Sequence, residues 1–136
     1  MGKLLAGFAI LLVVVVAVAV ISESKKTPEE QARDEVACRA DLQCWSDRAR
    51  IYGSFDCERR IERLGRFESK WTDSTFERKF SRARWLDQAR GTVTLIGDKI
   101  SFQNGFGAWL PHVYTCDVDP ATKTVLAVDA FPGRLP

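Results

Sequence analysis

The sequence predicts an α+β fold in which a helical pair covers one face of an antiparallel β-meander of four or five strands. Apolar residues recur at helical spacing up to about residue 68, and from Gly91 onward their spacing changes to two. An uninterrupted apolar segment precedes the first helix. Because the chain has 136 residues, it has room for one domain after that segment.

The amino-terminal segment is apolar enough to span a bilayer. Every residue from Leu4 to Ile21 is apolar or glycine, and Lys3 precedes the run. We therefore interpret residues 1–21 as a transmembrane anchor. The alternative is a secretory signal cleaved after Ala17-Val18-Ala19, but the apolar run continues past that site and so favours an anchor.

The remaining chain divides into a polar linker, residues 22–26, and an extracytoplasmic α+β domain, residues 27–136. Its four cysteines are an even number in a small exported domain, which is typical of two disulfide bonds formed in an oxidising compartment. They are Cys38, Cys44, Cys57 and Cys116. The cysteine content therefore places the domain outside the cytoplasm.

Two helices are expected at the start of the domain. Thr27 and Glu30 form a capping-box pattern around Pro28, which suits the first helical position. The first helix is predicted to end near Ile51, before the Tyr52-Gly53-Ser54 stretch, and the second to run from about Phe55 to Glu68. The first helix has two apolar stripes, which predicts that it is covered on two sides: Val36, Ala37, Ala40, Cys44 and Ile51 form one, and Cys38, Leu42, Trp45, Ala49 and Tyr52 the other.

This helix assignment constrains the disulfide pairing. On one continuous helix, Cys38 and Cys44 lie on different stripes and about 9 Å apart along the axis, so they should not bond each other. Each is therefore predicted to pair with Cys57 or Cys116, which leaves two pairings open. In both, one bond joins the two helices and the other connects a helix to the strand of Cys116.

The second half of the domain is predicted to be a meander. We interpret residues 71–90 as strand, although a helix starting at Ser74 also fits the spacing. The helix-over-sheet arrangement of the cystatin type fits this element order. The expected later elements are strands at 92–96 and 99–103 joined by a Gly97-Asp98 turn, a turn at Asn104-Gly105, a strand at 113–118, a turn at 119–123 and a strand at 124–128.

The residue patterns do not predict a catalytic, cofactor or metal site. His112 and Cys116 would lie about 13 Å apart on a strand, too far to share a metal or a hydrogen bond. The four cysteines lack the close pairs typical of zinc sites. Asp117 and Asp119 precede Pro120 in a pattern typical of a β-turn.

The glycine-flanked aromatic residues Phe106 and Trp109 are the candidate contact surface. A net charge of +2 does not indicate nucleic-acid binding. These features favour a protein- or envelope-binding module without a small-molecule cofactor. The alternative is a secreted small enzyme or enzyme inhibitor, for which Asp98, His112 and Asp117 are the polar candidates.

Seven stretches after the anchor are informative together: Cys38–Trp45, Trp71-Thr72-Asp73, Phe80–Trp85, GTVTLIGDKISFQNGFGAW, Tyr114–Asp117, DPATKTVLAV and PGRLP. Through these stretches, nearly all of the chain after the anchor resembles a group of small exported bacterial proteins of unknown function. The resemblance implies a bacterial inner-membrane protein with its domain in the periplasm, or a periplasmic or secreted protein if the signal is cleaved. It implies no catalytic residues.

Overall fold

The computed structural model describes residues 25–136, so the predicted anchor and most of the predicted linker lie outside the described residues. The described residues divide into two units between Asp34 and Glu35. Within residues 25–136, no helix combines the length and apolar composition needed to cross a bilayer.

The described residues form two helices and a five-stranded antiparallel sheet, which confirms the α+β class. Strand β3 is central, with β4 on one edge and β5 beyond β4, while β1 and β2 pair with successive parts of the other edge of β3. The elements are α1 (Pro28–Ala40), α2 (Leu42–Glu62), β1 (Ser69–Trp71), β2 (Arg82–Asp87), β3 (Thr92–Gln103), β4 (Trp109–Asp119) and β5 (Thr124–Pro132).

Helix α1 begins with the predicted capping box. The backbone N–H of Thr27 donates to the Glu30 carboxylate at 2.8 Å, and the backbone N–H of Glu30 donates to the Thr27 hydroxyl at 3.2 Å. These two bonds satisfy backbone donors that the first turn of a helix leaves without partners.

The expected continuous helix to Ile51 is wrong, because the chain breaks at Asp41. Asp41 has an extended backbone, and its carboxylate accepts a 2.7 Å hydrogen bond from the N–H of Cys44, which caps α2. This break brings the Cα atoms of Cys38 and Cys44 to 5.2 Å, and the two residues form a disulfide. Both predicted pairings are therefore wrong for Cys38 and Cys44.

Helix α2 continues through the predicted break at Tyr52–Ser54. Gly53 faces β4, where an added Cβ would lie 3.1 Å from both methyl groups of Val118. The glycine therefore allows the helix to approach the sheet closely and does not end it. On this face Trp45, Ala49, Cys57 and Ile61 are buried.

The helices bury one apolar stripe, not two. Val36 and Ile51, from the first predicted stripe, are 70% and 77% exposed. Trp45 and Ala49, from the second, are buried, and the Trp45 indole donates a 2.7 Å hydrogen bond to the Gly91 carbonyl. Only the second stripe lies against the sheet.

The predicted turn at Gly97-Asp98 is wrong, because β3 passes through it as one strand of 12 residues. A bulge lies there: Gly97 pairs with Tyr114 and Ile100 with His112, so β3 has one more residue than β4 between these pairs. Only part of the stretch 71–90 is strand, since residues 72–81 connect β1 to β2. The later two strands are longer than predicted.

The core lies between α2 and one face of the sheet. A disulfide from Cys57 to Cys116, with Cα atoms 5.9 Å apart, joins the helix to β4. The sequence predicted that Cys116 would be bonded to a helix and would face the core, and both are confirmed. The main buried sheet residues are Val93, Leu95, Ile100, Phe102, Tyr114, Cys116 and Val118.

Candidate functional site

The β3–β4 hairpin ends in a loop that one asparagine holds together. The side-chain oxygen of Asn104 accepts hydrogen bonds of 3.0 Å from the backbone N–H groups of Phe106 and Ala108. The backbone N–H of Asn104 donates to the Ala108 carbonyl at 2.8 Å. Gly107 has a φ of 81°, a conformation that glycine adopts without strain. The turn predicted at Asn104-Gly105 is present, and its backbone is internally bonded.

Phe106 projects from this loop and is 99% exposed. Trp109 is the first residue of β4, lies opposite Gln103 and is half-buried. The Lys70 ammonium lies 4.1 Å from the centroid of the indole ring, a cation–π contact. The two predicted contact residues therefore lie on one hairpin, with Phe106 in its loop and Trp109 at the point where β4 begins.

Two further apolar residues belong to this region. Phe67 lies against Gly105, since an added glycine Cβ would be 3.6 Å from the phenylalanine ring, and Phe67 is 52% exposed. Leu110 is 42% exposed. Sequence reasoning missed Phe67 because its contact with the loop spans distant parts of the chain. We call Phe67, Phe106 and Trp109 the hairpin-tip surface, because Leu110 follows Trp109 on β4 and so points to the opposite face of the sheet.

Two basic side chains contact the aromatic rings of the hairpin-tip surface, and one acidic residue, Glu68, follows Phe67 in the chain. Lys70 lies over Trp109, and the Arg66 guanidinium lies 6.0 Å from the ring of Phe67. The stretch 103–115 contains neither Asp nor Glu. An aromatic surface with flanking cations is suited to an apolar partner that carries negative charge at its edge.

The three polar residues of the enzyme alternative are held in separate places. Asp98 accepts a 3.1 Å hydrogen bond from the Leu135 backbone, and Asp117 accepts one of 2.6 Å from the Thr94 hydroxyl. The ring of His112 packs at 4.8 Å against Phe102, on the core side of the sheet. His112 and Asp117 are five residues apart on β4, about 16 Å, and so point to opposite faces. The described residues do not bring these three side chains into one site.

A second concave feature lies between α2 and the connection from β1 to β2. It is a cleft of about 510 Å³, which sequence analysis did not predict because its two walls are far apart in the chain. The residues that line it are Asp47, Arg50, Ile51, Ser54, Glu58, Asp73, Glu77, Arg78, Lys79 and Phe80.

Most charges in this cleft are paired. Arg50 bonds to Asp47 at 2.7 Å, and Lys79 bonds to Asp73 at 2.8 Å. Glu77 forms an ion pair of 3.0 Å with Lys99, which lies outside the cleft. Glu58 differs, because no hydrogen bond or ion pair joins its carboxylate to another side chain among residues 25–136, and Lys79 acts on it only through its charge. Partial burial raises the pKa of Glu58, and the negative charges of Asp73 and Glu62 raise it further, while Lys79 opposes the shift.

No group of three or more His, Cys, Asp or Glu side chains within residues 25–136 is arranged to hold a metal ion. All four cysteines are in disulfide bonds. Comparison with known proteins found no matching family model, no matching curated protein and no matching solved structure.

Proposed function

We propose that this chain is a non-enzymatic, membrane-anchored extracytoplasmic module that binds another protein or an envelope component through the hairpin-tip surface. The observation that carries the proposal is the exposure of Phe106. Its side chain is 99% exposed, in a loop whose backbone is hydrogen-bonded to the side chain of Asn104. Large exposed apolar side chains that cluster on one surface are typical of interaction sites.

The loop geometry supports a binding role more than the exposure alone does. The side chain of Asn104 already accepts hydrogen bonds from the backbone N–H groups of Phe106 and Ala108. Little backbone freedom therefore remains to be lost when a partner binds. Phe76 is equally exposed, at 98%, but its neighbours Ser74 and Glu77 are polar. Phe106, in contrast, follows Gly105, against which the ring of Phe67 lies.

The proposed location rests on three supports. The two disulfide bonds are compatible with an oxidising compartment. The apolar stretch 4–21 has the composition of a membrane anchor. The resemblance to small exported bacterial proteins adds the inner membrane and the periplasm. Cleavage after Ala19 would instead release the same domain into the periplasm or the medium.

The alternative is a secreted small enzyme or enzyme inhibitor that is released after signal cleavage. An enzyme would use Asp98, His112 or Asp117. The combined substitutions Asp98→Asn, His112→Gln and Asp117→Asn would then abolish a hydrolytic activity of the purified protein. That result would contradict the proposal of a binding module.

Site-specific photo-crosslinking in the host cells tests the proposed function. A benzophenone amino acid replaces Phe106 in the full chain and, as a matched control, Phe76, because both side chains are almost fully exposed. We expect a discrete adduct from position 106 that excess unlabelled wild-type protein suppresses and excess Phe106→Ser protein does not. Equal labelling from positions 106 and 76 would refute the proposal, and adducts to lipid alone would reassign the surface to the membrane.

A further inference from the structure

We propose that the cleft between α2 and residues 73–80 binds a basic side chain, arginine or lysine, of a peptide partner, whose cation pairs with the carboxylate of Glu58. This site is separate from the hairpin-tip surface and does not depend on the function proposed for it. The inference rests on the ion pairs in the cleft, on its apolar wall and on its size.

The distribution of charge leaves negative charge at the Glu58 end. Lys79 is the nearby cation, but it is engaged with Asp73 at 2.8 Å and lies 5.2 Å from the centroid of the Trp71 ring. Its backbone carbonyl accepts the hydroxyl of Tyr114, which holds this part of the connection against the sheet. Lys79 is therefore kept with Asp73, and the carboxylate of Glu58 remains available to a cation from outside.

A second carboxylate adds to the negative charge. Glu62 follows Glu58 by one helical turn and accepts a 2.6 Å hydrogen bond from the indole of Trp71. The negative charges of Glu62 and Asp73 therefore act on Glu58 together with the positive charge of Lys79, although Glu62 does not itself line the cleft. An incoming cation gains from all three carboxylates, and most from Glu58 because it enters a partly buried position.

The apolar wall favours a peptide over a free amine. Ile51 lines the cleft and is 77% exposed. Phe55 does not line the cleft but follows on the same side of α2, is 72% exposed, and has the Arg59 guanidinium 5.1 Å from its ring centroid. The methylene groups of an arginine or lysine pack on such a surface while the charged end reaches a carboxylate. Apolar residues beside the basic residue would cover Phe55, which a small amine cannot do.

The volume of the cleft agrees with this ligand. A cleft of about 510 Å³ falls within the range of about 300–1,000 Å³ that is usual for ligand sites. It therefore accommodates one long side chain and part of the neighbouring backbone.

Nuclear magnetic resonance of the full chain in a non-ionic detergent tests the proposal. The probe is acetyl-Ala-Leu-Arg-Leu-Ala-amide, and its control carries citrulline, a neutral isostere, in place of arginine. We expect saturable shifts of the Ile51 and Glu58 signals, with affinity about tenfold higher for the arginine peptide than for its control. Equal affinity for the two peptides, or no saturable shift with either, would overturn the proposal.

Two variants and a small ligand complete the test. Glu58→Gln keeps the shape of the side chain and should reduce the affinity for the arginine peptide about tenfold, whereas the exposed Glu68→Gln, with the same change of net charge, should not. Unchanged binding by Glu58→Gln would contradict the assignment. Arginine amide alone should bind more weakly than the peptide, and equal binding would refute the peptide partner. Phe106→Ser should leave this binding intact even if it abolishes crosslinking at the hairpin-tip surface.

Discussion

Tyr114 pairs with Gly97 across strands β3 and β4, and its ring passes over the glycine. A Cβ on Gly97 would lie 2.6 Å from the phenol carbon Cζ and would clash with the carbonyl oxygen of Lys79. The hydroxyl of Tyr114 donates to that carbonyl, and the rings of Trp71 and Phe80 pack edge-on against the phenol at 5.4 Å and 5.5 Å. The missing side chain of Gly97 thus lets the connection between β1 and β2, one wall of the cleft, lie against the sheet.

Gly97→Ala should therefore destabilise the domain by about 3 kcal/mol or more, because a backbone atom occupies the position of the new methyl group. Urea unfolding followed by tryptophan fluorescence measures the change. Gly105→Ala is the control, since its Cβ would meet only the Phe67 ring at an ordinary contact distance of 3.6 Å. A Gly97→Ala protein as stable as Gly105→Ala would show that the Tyr114 ring does not pack as described.

Tyr114→Phe should lower the free energy of unfolding at neutral pH by about 1–3 kcal/mol, because the Lys79 carbonyl and the Lys99 N–H lose the hydroxyl as their hydrogen-bond partner. The loss should depend on pH. Burial raises the pKa of Tyr114 in the folded state, so its contribution is full below the unfolded pKa of about 10 and declines as the pH rises above it.

Urea unfolding of the wild type and of Tyr114→Phe between about pH 8 and about pH 11 checks this dependence. The stability difference between the two proteins should narrow above about pH 10. A difference that stays constant over this range would show that burial does not keep the Tyr114 hydroxyl protonated.

The two disulfides should contribute unequally to stability. Removing the bond between Cys57 and Cys116, which are 59 residues apart, should cost about 4 kcal/mol in the chain-entropy model, whereas the bond between Cys38 and Cys44, six residues apart, should contribute about 2 kcal/mol. Double alanine variants of each pair, compared by urea unfolding, test this order. Cys44 is exposed and Cys57 is buried, so mild reductant should open the shorter loop first. The reverse order in either experiment would contradict the prediction.

Asp41→Ala should destabilise the domain by about 1 kcal/mol, because the first turn of α2 loses its carboxylate cap. Asp41→Asn retains an acceptor oxygen at the same place and should restore most of the stability. Thermal unfolding measured by circular dichroism distinguishes the two variants. If both behave alike, charge and not capping accounts for the effect.

Asn104→Ala should loosen the hairpin tip while changing the global stability little, because its two acceptor bonds serve only the exposed loop. Faster amide motion at Phe106 and Gly107, measured by nitrogen-15 relaxation, is the expected result, together with weaker crosslinking from position 106. Unchanged relaxation at these amides would show that Asn104 does not hold the loop.

Sequence patterns predicted the features that depend on neighbouring residues. The capping box at Thr27 and the turns at Asn104 and Asp119 are present, and the side chain of Asp119 accepts hydrogen bonds from the backbone of Ala121 and Thr122. The alternation that turned Cys116 toward the core also holds. Each of these features arises from hydrogen bonds or side-chain directions within a few residues, which explains why short patterns predict them.

The incorrect predictions concern features that depend on residues far apart in the sequence. The pattern around Gly53 predicts the end of a helix, yet this glycine makes room for Val118 of β4. The pattern at Gly97 predicts a turn between two strands, yet this glycine makes room for the ring of Tyr114. The charged cleft joins residues from α2 with the connection after β1 and so has no local signature.

The sequence by itself determined the α+β class, the apolar stretch at the amino terminus, the core-facing Cys116 and the aromatic pair Phe106 and Trp109. Only the tertiary structure decided which cysteines bond, that α2 continues through Gly53, and that Glu58 lies in a cleft without a partner among residues 25–136. Helical and strand periodicity follow from the geometry of one chain segment. The space around a glycine, a thiol or a carboxylate is instead set by residues that only folding brings near.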